Sequence, residues 1–69
     1  MATKKQDKPL LPYKLRMEIW NMINDYYTTQ EIVDRLYEYS PPEVSEGRFR
    51  YCIRGIKGAH TQGLRPKKR

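Results

Sequence analysis

Five residues in the last third of the chain have types and spacings suited to holding phosphate groups. Arg50, Arg54 and Lys57 follow one another at intervals of four and three residues, which place side chains on one face of an α-helix. Arg48 and Tyr51 fall on the flanks of that face. Arginine and lysine donate hydrogen bonds to phosphate oxygens, and a guanidinium also pairs with O6 and N7 of guanine. The pattern predicts a surface that binds an anionic polymer.

The distribution of charge along the chain supports this interpretation. The net charge is +6, but residues 48–69 contain eight cations and no acid, whereas residues 10–47 sum to −4 and residues 1–9 to +2. Like charges at this density repel one another unless a polyanion supplies counter-charge. The alternative interpretation is a solvated helix face followed by a disordered tail.

Size and composition argue against several classes of protein. A chain of 69 residues forms one small domain with a thin core, so we expect no enzyme and no small-molecule substrate. Cys52 is the single cysteine and His60 the single histidine, so we expect no disulfide, metal or cofactor, and Cys52 is predicted to be a core residue. Short apolar runs and a polar, lysine-rich start predict a cytoplasmic protein with no membrane partner and no signal peptide.

Two amphipathic helices are predicted ahead of the basic segment. The first runs from Tyr13 to about Asn24, where apolar residues recur at helical spacing. The second begins at Thr28, because Thr28 and Glu31 have the types and spacing of a capping box. Its apolar face continues to about Tyr39, where the Ser-Pro-Pro-Glu sequence that follows ends the helix.

A third helix is predicted to carry the cations. Ser45 is the preferred N-cap, with Ser40 as the alternative start, and Gly58 is expected to cap the C-terminus after Lys57. At 100° per residue, the apolar residues of this segment form one stripe and its cations lie opposite. Gly63 is expected to form a turn and the following leucine to return to the core. The apolar stripe consists of Phe49, Cys52, Ile53 and Ile56.

Two stretches resemble the second and third helices of helix-turn-helix DNA-binding domains, in particular of the winged-helix kind. Residues 28–36 open with Thr-x-x-Glu-Ile, and residues 44–57 open with Val-Ser and end in an arginine- and lysine-bearing turn. The resemblance covers residues 12–64. It implies a mainly α fold of three helices with tight connections and at most a short rudimentary wing around Gly63. The organisation is then a disordered basic arm at 1–9, the domain at 10–64 and a basic tail at 65–69.

The resemblance also implies a function. Its expected form is a sequence-specific regulator of transcription that binds double-stranded DNA, or an excisionase-like architectural factor, similar to compact proteins of phages and plasmids. Helix 45–57 would read the major groove and the basic tails would contact phosphates. A homodimer is expected, because one module of this size buries little surface on DNA. The residues expected to contact DNA are Arg48, Arg50, Tyr51, Arg54, Lys57, Arg65, Lys67, Lys68 and Arg69.

Two alternatives remain open at this point. The acidic helix 28–39, with Glu31, Asp34 and Glu38, would suit a protein partner, in a regulator that binds a polymerase or a nuclease. The basic helix would also suit RNA, with Tyr51 stacking on an exposed base.

Overall fold

The computed structural model describes residues 11–67 and places three α-helices in this part of the chain. Helix α1 covers Tyr13–Asn24, α2 covers Thr29–Leu36 and α3 covers Glu46–Thr61, with a 3-10 turn at Tyr37–Tyr39 directly after α2. The prediction of a mainly α fold with three helices is confirmed. The arm predicted at 1–9 and the last two residues of the predicted tail lie outside the described residues.

Both α1 and α2 pack against α3 around a small apolar core. Phe49 and Ile53 are the residues of α3 that are fully buried, which confirms the orientation predicted for its apolar stripe. The ring of Tyr37 meets the Phe49 ring edge-on at 5.4 Å between centroids, and its hydroxyl donates to the carbonyl oxygen of Val44 at 2.9 Å. The connection from α2 to α3 is therefore tied to the core. The core consists of Leu11, Leu15, Ile19, Ile32, Val33, Val44, Phe49 and Ile53.

Helix α1 ends in a turn that contains a strained residue. Tyr26 has φ of +69°, in the left-handed region that favours glycine. The N–H of Tyr26 donates to the Ile23 carbonyl at 2.9 Å, and the N–H of Tyr27 donates to that of Met22 at 3.0 Å. This is the hydrogen-bond pattern of a Schellman motif, which satisfies the last carbonyl groups of the helix.

Helix α2 begins with the predicted capping box. The N–H of Glu31 donates to the Thr28 hydroxyl at 3.1 Å, and the N–H of Thr28 donates to the Glu31 carboxylate at 2.8 Å. The α-helix ends at Leu36, earlier than predicted, because the next three residues tighten into the 3-10 turn ahead of the prolines. The connection to α3 spans residues 37–45, so the expectation of a tight connection is wrong here.

The start of α3 is as predicted and its end is not. The Ser45 hydroxyl accepts a hydrogen bond from the N–H of Arg48 at 3.2 Å, which confirms Ser45 as the N-cap. Gly58 does not cap the helix, since α3 continues to Thr61 and Gly58 is an exposed residue of its interior. The cap is formed one turn later by Gly63 at φ +78°, where Leu64 and Gly63 donate to the carbonyl groups of Ala59 and His60.

The longer helix explains two further differences from the prediction. The described residues contain no β-strand, so the rudimentary wing around Gly63 is not formed between residues 11 and 67. Leu64 does not return to the core, because the turn at Gly63 directs the chain along α1 and leaves this side chain 54% exposed. None of the helices within residues 11–67 has the length and apolar character needed to cross a membrane.

Candidate nucleic-acid interface

Three of the predicted cations line one shallow cleft between α3 and the N-terminus of α2. The cleft has a volume of about 530 Å³ and is lined by Thr29, Arg50, Arg54 and Lys57. Intervals of four and three residues on α3 bring the cations to one side of the helix, and Thr29 at the start of α2 lies opposite them. The structure therefore brings together Arg50, Arg54 and Lys57 as the sequence predicted.

Arg50 is already engaged by acceptors within the fold. Its guanidinium forms a salt bridge with the Glu46 carboxylate at 3.1 Å and donates to the side-chain oxygen of Gln30. The amide of Gln30 in turn donates to Asp34 at 2.9 Å. This network joins α2 to α3 and holds the Arg50 side chain in a defined position at the cleft.

Arg54 and Lys57 differ from Arg50 in their partners. Lys57 Nζ donates to the Thr29 hydroxyl at 3.2 Å, which leaves its charge without a carboxylate. Arg54 is exposed and forms no hydrogen bond or ion pair with the described residues. Of the three cations in the cleft, Arg54 is the one with no donor engaged by the described residues.

Arg48 and Tyr51 occupy a different part of α3. The Arg48 guanidinium lies 6.0 Å from the centre of the Tyr51 ring, and both residues line a depression of about 420 Å³ next to Ser45. Tyr51 is 68% exposed. These two residues form a separate pair near the start of α3 and do not line the cleft.

The solvent-exposed face of α3, opposite the core, carries three glycines, a feature that the sequence analysis did not predict. Gly47, Gly55 and Gly58 are exposed, and a Cβ added to any of them would meet no other atom within 4 Å. Together with Tyr51 they fall within about 80° of arc at 100° per residue. The signal is present in the spacing of the glycines, but the sequence predicts Gly58 as the C-terminal cap and not as part of a helix face. We call these three residues the glycine ridge.

The C-terminal segment lies on α1, where the sequence predicted a free tail from residue 65. Trp20 Nε1 donates to the Leu64 carbonyl at 3.1 Å, and the Arg65 guanidinium lies 5.3 Å from the centre of the Trp20 ring. The carbonyl of Lys67 accepts a hydrogen bond from Arg16 at 2.9 Å. Arg65 and Lys67 are thus separated from the cleft, and Lys68 and Arg69 lie outside the described residues.

Cys52 and His60 are packed between helices. Cys52 is half-buried against the core, and burial raises the pKa of its thiol despite the nearby charges of Arg48 and Arg16. A thiol with a raised pKa is a weak nucleophile at neutral pH. The His60 ring lies 5.1 Å from that of Trp20, with Nε2 at 3.2 Å from the side-chain oxygen of Asn24. Among the described residues, no group of three or more potential ligands is placed to hold a metal ion.

The acidic side chains of α2 serve mainly internal contacts. The Glu31 carboxylate closes the capping box and that of Asp34 accepts from Gln30. Glu38 is exposed in the 3-10 turn. All three residues are exposed, and two of the three carboxylates on the surface considered for a protein partner already accept a hydrogen bond within the chain.

Comparison with known proteins finds no match: no protein-family model fits the chain, and neither a curated protein nor a solved structure is detectably similar to it. The interpretation of the cleft therefore depends on its geometry and charge.

Proposed function

We propose that the protein binds double-stranded DNA through α3, with α2 and α3 acting as a helix-turn-helix unit. The observation that carries this proposal is the cleft, where Arg50, Arg54 and Lys57 converge beside the N-terminus of α2. The biological role included in this proposal is regulation of transcription, or the role of an excisionase-like architectural factor. The expectation of sequence-specific binding belongs to this proposal.

The shape of α3 suits a helix that enters the major groove. The groove is about 12 Å wide, close to the diameter of a helix with its side chains. On the glycine ridge, Gly55 and Gly58 are exposed and carry no side chain, and a Cβ added to either would point into open space. The helix axis can therefore approach the floor of the groove more closely on this side, while the cations flanking the ridge reach the phosphates.

The predicted contact residues divide into two roles under this proposal. Arg54 has open donors at the edge of the ridge and is the best candidate to contact a base edge, as guanidinium groups do with guanine. Arg50 and Lys57 are held by Gln30, Glu46 and Thr29, so they are placed to contact phosphates in a fixed register. Arg48 and Tyr51 extend the same surface toward the start of α3.

The direct test compares three nucleic acids of one sequence: duplex DNA, single-stranded DNA and duplex RNA. Fluorescence anisotropy titrations at several salt concentrations measure each affinity. We expect duplex DNA to bind most tightly, since the major groove of A-form RNA is too narrow for a helix and a single strand has no groove. Equal affinity for the three polymers would contradict the proposal, tighter binding to RNA would favour the RNA alternative, and binding to none of them would favour a protein partner.

A second candidate function is protein binding, here by a second copy of the chain. A groove of about 480 Å³ lies between α1 and the 3-10 turn and is lined mainly by apolar atoms, including those of Leu15, Leu36 and Tyr39. Lys14 and Glu18 also line this groove, one helical turn apart on α1. Across a two-fold axis that pairs α1 antiparallel with its copy, each lysine faces the partner's glutamate.

Sedimentation velocity tests this homodimer. Tyr39→Glu should shift a dimer to monomer, and a wild-type protein that stays monomeric at high concentration excludes this homodimer.

A further inference from the structure

A line of three side chains crosses the solvent-facing side of α3. Arg48, Tyr51 and Arg54 follow one another at intervals of three residues, so Tyr51 lies about 60° around the helix from each arginine. Gly47 and Gly55 precede and follow Tyr51 by four residues, a spacing that keeps all three on one face. Tyr51 is therefore a large aromatic side chain between two members of the glycine ridge, with a guanidinium group on either side.

The polar groups of this line make few contacts within the fold. Tyr51 is 68% exposed, and its hydroxyl forms no hydrogen bond with the described residues. The guanidinium of Arg48 lies 6.0 Å from the centre of the Tyr51 ring and, like that of Arg54, donates to none of residues 11–67. The ring and the Arg48 guanidinium also border the depression of about 420 Å³ beside Ser45.

The length of the line matches a few base pairs of DNA. An α-helix rises about 1.5 Å per residue, so Arg48 and Arg54 lie about 9 Å apart along the axis of α3. Successive base pairs of B-DNA lie about 3.4 Å apart. Three side chains at this spacing therefore face about three base pairs when the helix lies along the major groove.

The chemistry of the three side chains indicates which bases they suit. In the major groove, thymine presents a C5-methyl group, which apolar side chains and aromatic rings contact. Guanine presents O6 and N7, which accept two hydrogen bonds from one guanidinium. An aromatic ring between two arginines thus suits a methyl group between two guanines.

We infer that Tyr51 is the specificity-determining residue of α3 and reads thymine through its C5-methyl group, with Arg48 and Arg54 on flanking guanines. This inference rests on the proposed function, in which α3 lies in the major groove, and adds the class of sequence that the helix selects. The selected class is a T·A pair with a G·C pair on either side. Arg50 and Lys57 contact phosphates under the proposed function, and such contacts carry no direct sequence information.

A selection from a random duplex library followed by a single base replacement tests this inference. We expect the selected duplexes to share a T·A pair flanked by G·C pairs. Uracil in place of that thymine removes the methyl group and keeps every hydrogen-bonding group of the base. Fluorescence anisotropy should show an affinity about threefold to fivefold lower for the uracil duplex. Uracil in place of a thymine outside the selected sequence is the control and should change the affinity less than about twofold.

Variants of the protein assign the effect to the aromatic ring. Tyr51→Phe keeps the ring and should retain the preference for thymine over uracil, whereas Tyr51→Ala should bind the two duplexes equally. Tyr26→Ala is the matched control, because it removes a tyrosine that is 92% exposed in the turn after α1, and it should retain the preference. Circular dichroism shows whether each variant folds. The comparison of thymine with uracil in wild type alters only the DNA and holds even if Tyr51→Ala does not fold.

The outcomes separate this inference from the proposed function. If the selected duplexes share no thymine, or wild type binds the thymine and uracil duplexes equally, the inference fails. A preference for thymine that persists in folded Tyr51→Ala also overturns it, because another residue then reads the methyl group. In each of these cases the proposed function stands if Arg54→Ala weakens duplex binding. If wild type binds no duplex at low salt, the inference and the proposed function both fail.

Discussion

The guanidinium groups of Arg50 and Arg54 differ in their contacts with other residues of the protein. Arg50 is held by Glu46 and Gln30, whereas Arg54 has no partner among the described residues. An engaged arginine contributes to folding as well as to binding, and an open one contributes to binding alone. The two residues are one turn apart on α3 and nevertheless predict different mutational signatures.

Replacing each arginine with alanine tests this difference. Arg54→Ala should weaken duplex binding by about 1–3 kcal/mol and leave the thermal midpoint unchanged. Arg50→Ala should weaken binding and also lower the stability by up to about 1 kcal/mol, because it removes an exposed ion pair and the link to α2. Anisotropy titrations and thermal denaturation measure the two effects. A lower midpoint for Arg54→Ala, or full affinity in that variant, contradicts the assignment.

Tyr26 and Gly63 provide a second comparison of single residues. Both adopt a left-handed conformation at the end of a helix, Tyr26 at φ +69° and Gly63 at φ +78°. A side chain costs about 1 kcal/mol in this region, partly offset by the greater freedom of an unfolded glycine. Tyr26→Gly should therefore raise the free energy of unfolding by a fraction of a kcal/mol, and Gly63→Ala should lower it by about 1 kcal/mol. Denaturant titration measures both, and destabilisation by Tyr26→Gly would show that its exposed ring makes a needed contact.

At the scale of the elements, local chemistry specified the helix starts more firmly than the helix ends. Thr28 and Ser45 were predicted as caps because their side chains satisfy backbone donors within three residues. Gly58 is wrongly predicted as the cap because glycine is both a common cap and a tolerated helix residue. The extra turn of α3 packs on α1 through contacts of His60 with Trp20 and Asn24, which the local sequence does not show. The position of the C-terminal segment depends on Arg16, which is 51 residues away from Lys67 in sequence.

The candidate site also has one part that the sequence predicted and one part that depends on how the helices pack. The convergence of Arg50, Arg54 and Lys57 follows from spacing on one helix, so the sequence predicted it. The contributions of Thr29 and Gln30 come from α2 and depend on how the two helices pack. Spacing along one helix cannot supply that relation between elements.

The glycine ridge gives the prediction that belongs to α3 as an element. Gly58→Ala should stabilise the helix by about 0.5–1 kcal/mol, because glycine is a poor residue in a helix interior. It should also weaken duplex binding, because a methyl group on the ridge holds the helix away from the floor of the groove. Asn21→Ala on the exposed face of α1 is the control, which should raise stability without changing affinity. Unchanged affinity in Gly58→Ala would show that the ridge does not enter a groove.

At the scale of the whole molecule, acids of the middle segment and cations of the last third meet at the cleft, where Glu46 pairs with Arg50. Other acids of the middle segment are used in capping and in the Gln30 network, while Arg54 and Lys57 line the cleft without a carboxylate partner among the described residues. The net charge of +6 alone predicts only weak attraction to any polyanion. The arrangement predicts a specific set of phosphate contacts, each adding about 0.9 to the salt dependence of binding to duplex DNA.

The salt dependence of duplex binding in two variants of equal charge tests the central claim most directly. Arg54→Ala with Lys57→Ala removes two cations from the cleft, and Lys14→Ala with Arg35→Ala removes two from other helices. The slope of log affinity against log salt should fall in magnitude by up to about 1.8 in the first variant, because each phosphate contact contributes about 0.9. The second variant should retain the wild-type slope. Equal losses in both variants would contradict the account, since binding would then follow the net charge and not the cleft on α3.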